Sequence, residues 1–173
     1  MRIVGGAWAG RDLVSPGGRV RPTAEQVRDR WLSLLAEELP GARILDLFAG
    51  SGALGLEALS RGAASADFVE NGAASLHALK ANVAAFKAKN RTRIFKRDVI
   101  VFVERIDRLA YDIAFADPPY GSRKADRVVG RWMEVPFSRM LCVEHGRDHH
   151  LPHKGRRYVV GETRITVFRR GGR

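Results

Sequence analysis

Ile44-Leu45-Asp46-Leu47-Phe48-Ala49-Gly50-Ser51-Gly52-Ala53-Leu54-Gly55 decides the fold of this chain. A short apolar run ends in a glycine turn, and the turn opens an apolar, helix-like stretch. Glycine lets the backbone pass close to a ligand, and the free N–H groups at a helix start favour a negative group there. Gly50, Gly52 and Gly55 satisfy the G-x-G-x-x-G spacing, and Glu70 ends the next strand-like run, where ribose hydroxyls would fall. A nucleotide cofactor of the NAD kind is one reading of these residues. A tight strand-to-helix turn that binds nothing is another.

Working outward, residues 43–47, 66–70, 92–96 and 111–116 read as strands, with helices over 53–61, 73–89 and 99–105 between them. Strands joined through crossover helices lie parallel, with helices on both faces of the sheet. After residue 136 the pattern changes. Strand-like 139–144 is followed by 156–160, a Gly161-Glu162 turn and alternating 163–169, the signature of an antiparallel hairpin. The expected fold is therefore α/β and Rossmann-like: a mostly parallel, seven-stranded sheet that ends in an antiparallel hairpin.

Upstream, Gly5-Gly6, Gly10, Pro16-Gly17-Gly18 and Pro22 make residues 1–22 an irregular, Arg-rich arm, and residues 23–173 form a single domain. Thr23-Ala24-Glu25-Gln26 reads as a capping box with Thr23 as N-cap. The helix it opens runs to about Glu38, with Val27, Trp31, Leu34, Leu35 and Leu39 on its apolar side, and Pro40-Gly41 stops it.

Thirty Lys and Arg against nineteen Asp and Glu give a net charge of +11 over 173 residues, so a polyanion is the natural partner. No apolar run is long enough to span a membrane and the start lacks a signal-peptide core, so the cytoplasm is the expected compartment. Cys142 is the only cysteine, which excludes an internal disulfide and a thiolate-rich zinc site. His145, His149, His150 and His153 sit close together, but Arg147, Pro152 and Lys154 among them make a basic loop the simpler account, and no metal is expected. Trp31 falls on an apolar helix face and reads as core, which leaves Trp8 as the tryptophan for stacking on bases.

Asp117-Pro118-Pro119-Tyr120 follows the fourth strand, where an open α/β sheet places its ligand crevice. Two prolines fix the backbone and remove two N–H donors, leaving the Asp117 carboxylate and carbonyl oxygens as a stiff set of acceptors with an aromatic ring behind them. An exocyclic amine on a nucleobase is a poor nucleophile, because its lone pair is delocalised into the ring. Acceptors that hold both its N–H groups favour a pyramidal nitrogen whose lone pair points at an electrophilic methyl. Tyr120 would stack on a base that is unpaired or flipped out. NAD chemistry has no use for this arrangement. A proline-stiffened turn capped by Asp117 is the bland alternative.

These residues, with Met1-Arg2-Ile3-Val4-Gly5-Gly6, Arg21-Pro22-Thr23 and the run from Leu45 to Ala63, resemble the RsmD-type 16S rRNA (guanine-N2)-methyltransferase family, a branch of the class I S-adenosylmethionine-dependent enzymes. The resemblance implies S-adenosyl-L-methionine as cofactor, held by Asp46, Phe48, Ala49, Gly50, Ser51 and Gly52, with Glu70 on its ribose and Asp98 on its adenine. It implies Asp117, Pro118, Pro119 and Tyr120 around the target guanine amine. Arg21, Pro22 and Thr23 would lie on the RNA side, to which the Arg-rich composition adds Arg11 and the stacking reading adds Trp8; ribosomal RNA, within small-subunit particles, would be the partner, and a monomer is expected. Ala7 and Ala9 flank Trp8 where the family carries basic residues, Ser33 replaces an asparagine, and the stretch between Tyr120 and Arg139 is short. A DNA adenine or cytosine amine methyltransferase shares the acceptor motif and is the rival enzyme; an RNA-binding protein without catalysis would need damage at the motif, and none is seen.

Overall fold

The computed structural model describes residues 1–17 and 22–170. Its centre is β1 (Arg43–Leu47), buried from Ile44 onward, as a strand covered on both faces must be. β2 (Ser65–Glu70), β3 (Thr92–Lys96), β4 (Tyr111–Ala116) and β5 (Ser138–Gly146) lie parallel to it, and β6 (Arg156–Val160) and β7 (Thr163–Arg169) form the closing hairpin. The described residues make a seven-stranded sheet in the order β3-β2-β1-β4-β5-β7-β6, with β7 antiparallel to β5. A dinucleotide dehydrogenase sheet runs 3-2-1-4-5-6. The antiparallel β7 wedged between β5 and β6 therefore separates this fold from the NAD reading.

Alternate residues of each strand feed opposite faces. Ile44, Phe68 and Phe115 pack under α1 (Pro22–Ser33), α2 (Ala53–Ser60) and α3 (Ala73–Ala85), where Trp31 meets Phe115 edge-on at 5.6 Å. Leu45, Val69 and Leu141 pack under α4 (Val99–Glu104) and α5 (Lys124–Glu134). The expected sheet and the helices on both its faces are present, and no helix among the described residues is long and apolar enough to cross a membrane.

Several boundaries differ from the sequence reading. α1 starts at Pro22 rather than after Thr23, so Thr23 is helical and not the N-cap; proline at a first helical position loses only an N–H that has no partner there. The side chains of Pro22 and Thr23 lie outside the described residues, as does the whole of Arg21. α1 also ends at Ser33, and turns carry the chain onward to Leu35 and Leu39, both buried. α3 stops before residue 89 because Lys87 takes φ +54°; Ala88 N–H then reaches Val83 O at 3.0 Å and Lys87 N–H reaches Ala84 O at 3.0 Å, a left-handed cap without glycine. α5 was not read from the sequence at all, although its buried Ala125, Val128, Val129 and Trp132 recur at helical spacing.

The N-terminal segment is packed rather than loose. Ile3 and Leu13 are buried in the same core as α1 and α2, Arg2 and Asp12 form an antiparallel bridge, and the N–H groups of Val4 and Gly5 donate to the Glu57 carboxylate of α2.

Candidate active site

β1 and β4 are parallel neighbours on either side of the point where the strand order reverses, which is where open α/β sheets bind ligands. Leu47 pairs with Ala116, so Phe48 and Asp117 leave the sheet side by side. Ala116 in turn pairs with Val143, which brings Glu144 of β5 next to Asp117. A cleft of about 1100 Å³ opens above these strand ends.

The turn after β1 forms one wall. Phe48, Gly50 and Gly52 have φ of +62°, +56° and +79°. An aromatic residue in the left-handed region costs roughly 1–3 kcal/mol, and such strain collects where function holds it in place. Gly50 N–H donates to Glu70 Oε2 at 2.8 Å, and a Cβ at Gly50 would meet nothing within 4 Å, so the turn presents bare backbone to open space. A Cβ at Gly52 would come within 2.4 Å of Leu79 Cδ1 on α3, and one at Gly55 within 2.5 Å of Phe68 Cε1 on β2; Gly52 lets the turn pack against α3 and Gly55 lets α2 sit close on the sheet. Asp46 is buried beneath the turn and accepts the Gly55 N–H at 2.9 Å. Burial raises its carboxyl well above the usual range, the Gly55 N–H opposes this, and Asp117 and Glu70 add to it.

Asp117 lies open to the cleft's solvent while protein closes around it on the other sides. This desolvation, and then the neighbouring charge of Glu144, lifts its carboxyl to about 7. Glu144 is itself raised, chiefly by burial, with hydrogen bonds from Tyr120 and Thr163 pulling the other way. The Tyr120 ring is 66% exposed, yet its hydroxyl is anchored, 3.0 Å from Glu144 Oε1 and 3.1 Å from Thr163 Oγ1. A rigid ring therefore faces the cleft edge-supported by two strands.

The cleft brings together Asp46, Phe48, Ala49, Gly50, Ser51, Asp117, Pro118, Pro119 and Tyr120. Gly52 and Glu70 stand just behind it. Glu70 holds the turn, its Oε1 accepting the Asn71 and Gly72 N–H groups at 2.8 and 2.7 Å. Asp98, beyond the end of β3, is outside the lining and caps α4 through the Ile100 and Val101 N–H groups. Burial would raise its carboxyl, but those N–H groups and Lys124, 3.6 Å away, hold it below the usual range.

Trp8 and Arg11 are not brought to the cleft. Trp8 N–H donates to Ser60 Oγ, its ring lies 5.0 Å from Phe86, and Arg11 covers Phe86 at 4.2 Å while bonding Ala85 O. Ser60 and Ala85 end α2 and α3, the ends remote from the glycine turn. Met1 and Ala24, Val27 and Trp31 of α1 form the cleft wall instead.

Sequence reasoning missed Glu144, Thr163 and the pair His149–Asp126, all of which line the cleft or support it. Glu144 follows an apolar run at a strand end, as Asp117 does, and that parallel was the available signal. His145 is buried, accepts or donates to Thr166 Oγ1 at 2.7 Å, and is held neutral mainly by burial; His149 bonds Asp126 Oδ1 at 2.7 Å. No group of three or more metal-ligating side chains occurs among the described residues.

Sheet order, glycine turn and acceptor motif at the switch point together define a class I methyltransferase fold. The 16S rRNA N2 G1207 methyltransferase of Thermus thermophilus, solved with AdoMet and guanosine, shares this fold at a TM-score of 0.66 and 21% identity, covering 90% of this chain and 44% of that one. A family model described as "Conserved hypothetical protein 95" matches residues 1–165, and the chain belongs to that family, which is the RsmD-type group. It is 43% identical over 123 residues to the Ribosomal RNA small subunit methyltransferase D of Escherichia coli, a match that spans 69% of this chain and 60% of that relative's length. A solved hypothetical protein of Thermus thermophilus superimposes with a TM-score of 0.81 at 30% identity, covering 98% and 99% of the two chains.

Proposed function

We propose that this chain transfers a methyl group from S-adenosyl-L-methionine to the exocyclic N2 amine of a guanine in small-subunit ribosomal RNA. The observation that carries the reading is the Asp117–Tyr120 acceptor cluster, which opens onto the same cleft as the strained glycine turn.

The site suits this cofactor on its own chemistry. Asp46, Asp117 and Glu144 all have raised carboxyls in one cleft of a protein whose net charge is +11. Three crowded carboxylates call for a cationic ligand, and the cofactor carries an ammonium and a sulfonium. Asp46 and the backbone of Phe48, Ala49, Gly50, Ser51 and Gly52 would hold its methionine end, Glu70 the ribose and Asp98 the adenine. When bound, the cofactor supplies an electrophilic methyl.

The protein's own groups do the rest. Asp117 and the carbonyl oxygens beside Pro118 and Pro119 accept the amine's N–H bonds and orient its lone pair; Tyr120 stacks on the base; Asp117 receives the proton that the methylated nitrogen sheds. The basic chain suits an RNA partner, and the sequence assigns Arg21, Pro22 and Thr23 to its side.

The test is transfer of labelled methyl to ribosomal RNA, naked and in small-subunit particles, with DNA as a parallel substrate. Incorporation as N2-methylguanosine in RNA is expected; label in DNA alone overturns the reading. Because Asp117 works as an acceptor and its carboxyl is raised to about 7 in the free protein, kcat/KM rises from about pH 6 to about pH 8 and then levels. A flat profile across that interval removes Asp117 as proton acceptor.

Glu70→Ala releases the N–H groups of Gly50, Asn71 and Gly72 together. Hydrogen bonds to charged groups contribute ~1.5–3 kcal/mol, so S-adenosylhomocysteine should bind roughly 10- to 100-fold more weakly, read by calorimetry. Unchanged affinity would show that the turn needs no such anchor.

A further inference from the structure

Resting on that reading, we infer that Glu144 sets the base specificity of the site: its carboxylate and that of Asp117 together read the two adjacent donors, N1–H and N2–H, on the Watson–Crick edge of guanine.

Parallel pairing of Ala116 with Val143 puts Asp117 and Glu144 at equivalent positions just beyond two neighbouring strands, and both line the cleft. An ionised carboxylate only accepts hydrogen bonds. Two of them side by side repel each other, and a ligand that inserts two N–H groups between them relieves that repulsion. Among the four RNA bases, guanine alone carries two neighbouring donors on this edge. Adenine and cytosine offer an amine next to a ring-nitrogen lone pair, which would face the second carboxylate and be repelled; uracil offers one N–H between two carbonyls. Rejection by an unpaired or repelled polar group discriminates more sharply than pocket shape.

The same residue fixes the base plane. Tyr120 O–H lies 3.0 Å from Glu144 Oε1 while its ring is exposed to the cleft. A carboxylate has about four lone-pair sites, so this tie leaves capacity for a base N–H. One side chain thus couples the stacking ring to the edge-reading acceptor, an arrangement with no purpose in a site that only binds the cofactor.

The experiment measures direct binding of GMP and AMP, by saturation-transfer NMR, to protein loaded with S-adenosylhomocysteine. The wild type should prefer GMP by at least about tenfold, in keeping with donor-matched sites. Glu144→Gln replaces an acceptor-only group by one that also donates, and should cut that preference at least tenfold in protein saturated with S-adenosylhomocysteine. Glu144→Ala is the second variant, for which the same loss is expected. Tyr120→Phe should weaken both nucleotides alike and keep the preference. A wild type that binds GMP and AMP equally, or Glu144 variants that retain the wild-type ratio, overturns the inference. Failure of methyl transfer to RNA would instead sink the function proposed above, and the binding ratios are independent of it.

Discussion

Asp117→Ala lowers methyl transfer by about 10³-fold or more while leaving S-adenosylhomocysteine affinity within a few-fold of the wild type. The size follows from what the residue supplies. Removing one preorganised hydrogen-bonding partner of a transition state costs about 10²–10³ in kcat. Loss of a positioned proton acceptor is worth about 10²–10⁴, and the two overlap because one carboxylate provides both. Pro118 and Pro119 carry no N–H and keep the backbone in place, so the remaining carbonyl oxygens still hold the amine weakly. Asp117→Asn keeps an acceptor oxygen but cannot take the proton, and should fall between, at about 10². The order of activity Asp, Asn, Ala is the diagnostic, measured in single turnover with cofactor bound beforehand. Equal loss of cofactor binding in these variants would place Asp117 in the cofactor site instead.

Stability should move the other way. The folded carboxyl sits at about 7, above its ordinary value, so the folded state holds a proton that the unfolded chain releases. Below the ordinary carboxylate range both states are protonated and the group contributes nothing. As pH rises from there to about 7, ionisation favours unfolding, and the penalty is complete above that. Asp117→Asn removes the penalty, so its melting temperature should gain on the wild type at about pH 8 and match it near about pH 4. A site that is stabler without its acid is one where like charges are kept together for use.

β1 and β4, parallel strands covered on both faces, were legible as short apolar runs, and β6 and β7 as an alternating hairpin; with β3 they fall where the pattern put them. What escaped was set by tertiary context. Lys87 ends α3 in a left-handed conformation normally given to glycine, and nothing local marks it. α5 begins without a side-chain cap, so its start carried no signal although its apolar face did. The glycines and prolines of residues 1–22 read as an irregular arm, and nothing in their pattern marked that Gly6, at φ +78°, lies so close to Ser60 that the chain is packed there. At the site, Asp117 to Tyr120 were readable because they are contiguous. Glu144 joins them only through the β4–β5 register, and Trp8 and Arg11 were assigned to the RNA side by composition, which holds no information about which end of α2 they would reach.

Glu57→Ala is the substitution expected to cost most in stability, about 3–5 kcal/mol. Glu57 is fully buried on α2 and its carboxylate is the meeting point of three segments. It accepts the N–H of Val4 at 2.9 Å and that of Gly5 at 2.6 Å, the Arg28 guanidinium of α1 at 3.1 Å and that of Arg61 at 2.9 Å. Arg28 reaches on to the carbonyl of Arg2. Deleting the carboxylate strands a buried guanidinium and two backbone N–H groups, whereas Arg61 can still turn to Asp29, 2.7 Å away and half exposed. At roughly 2–4 °C per kcal/mol for a chain of this size, the melting temperature should drop by about 6–20 °C. Glu57→Gln keeps the shape and an acceptor, and should lose less. The damage should also be local before it is global: hydrogen exchange at Val4 and Gly5 should accelerate more than in β1. Because Met1 and the α1 residues Val27 and Trp31 wall the cleft, loosening this clamp should weaken ligand binding as well. Saturating S-adenosylhomocysteine would then restore less melting temperature to the variant than to the wild type. A full-sized ligand shift in Glu57→Ala would mean that the N-terminal strap and α1 take no part in shaping the cleft.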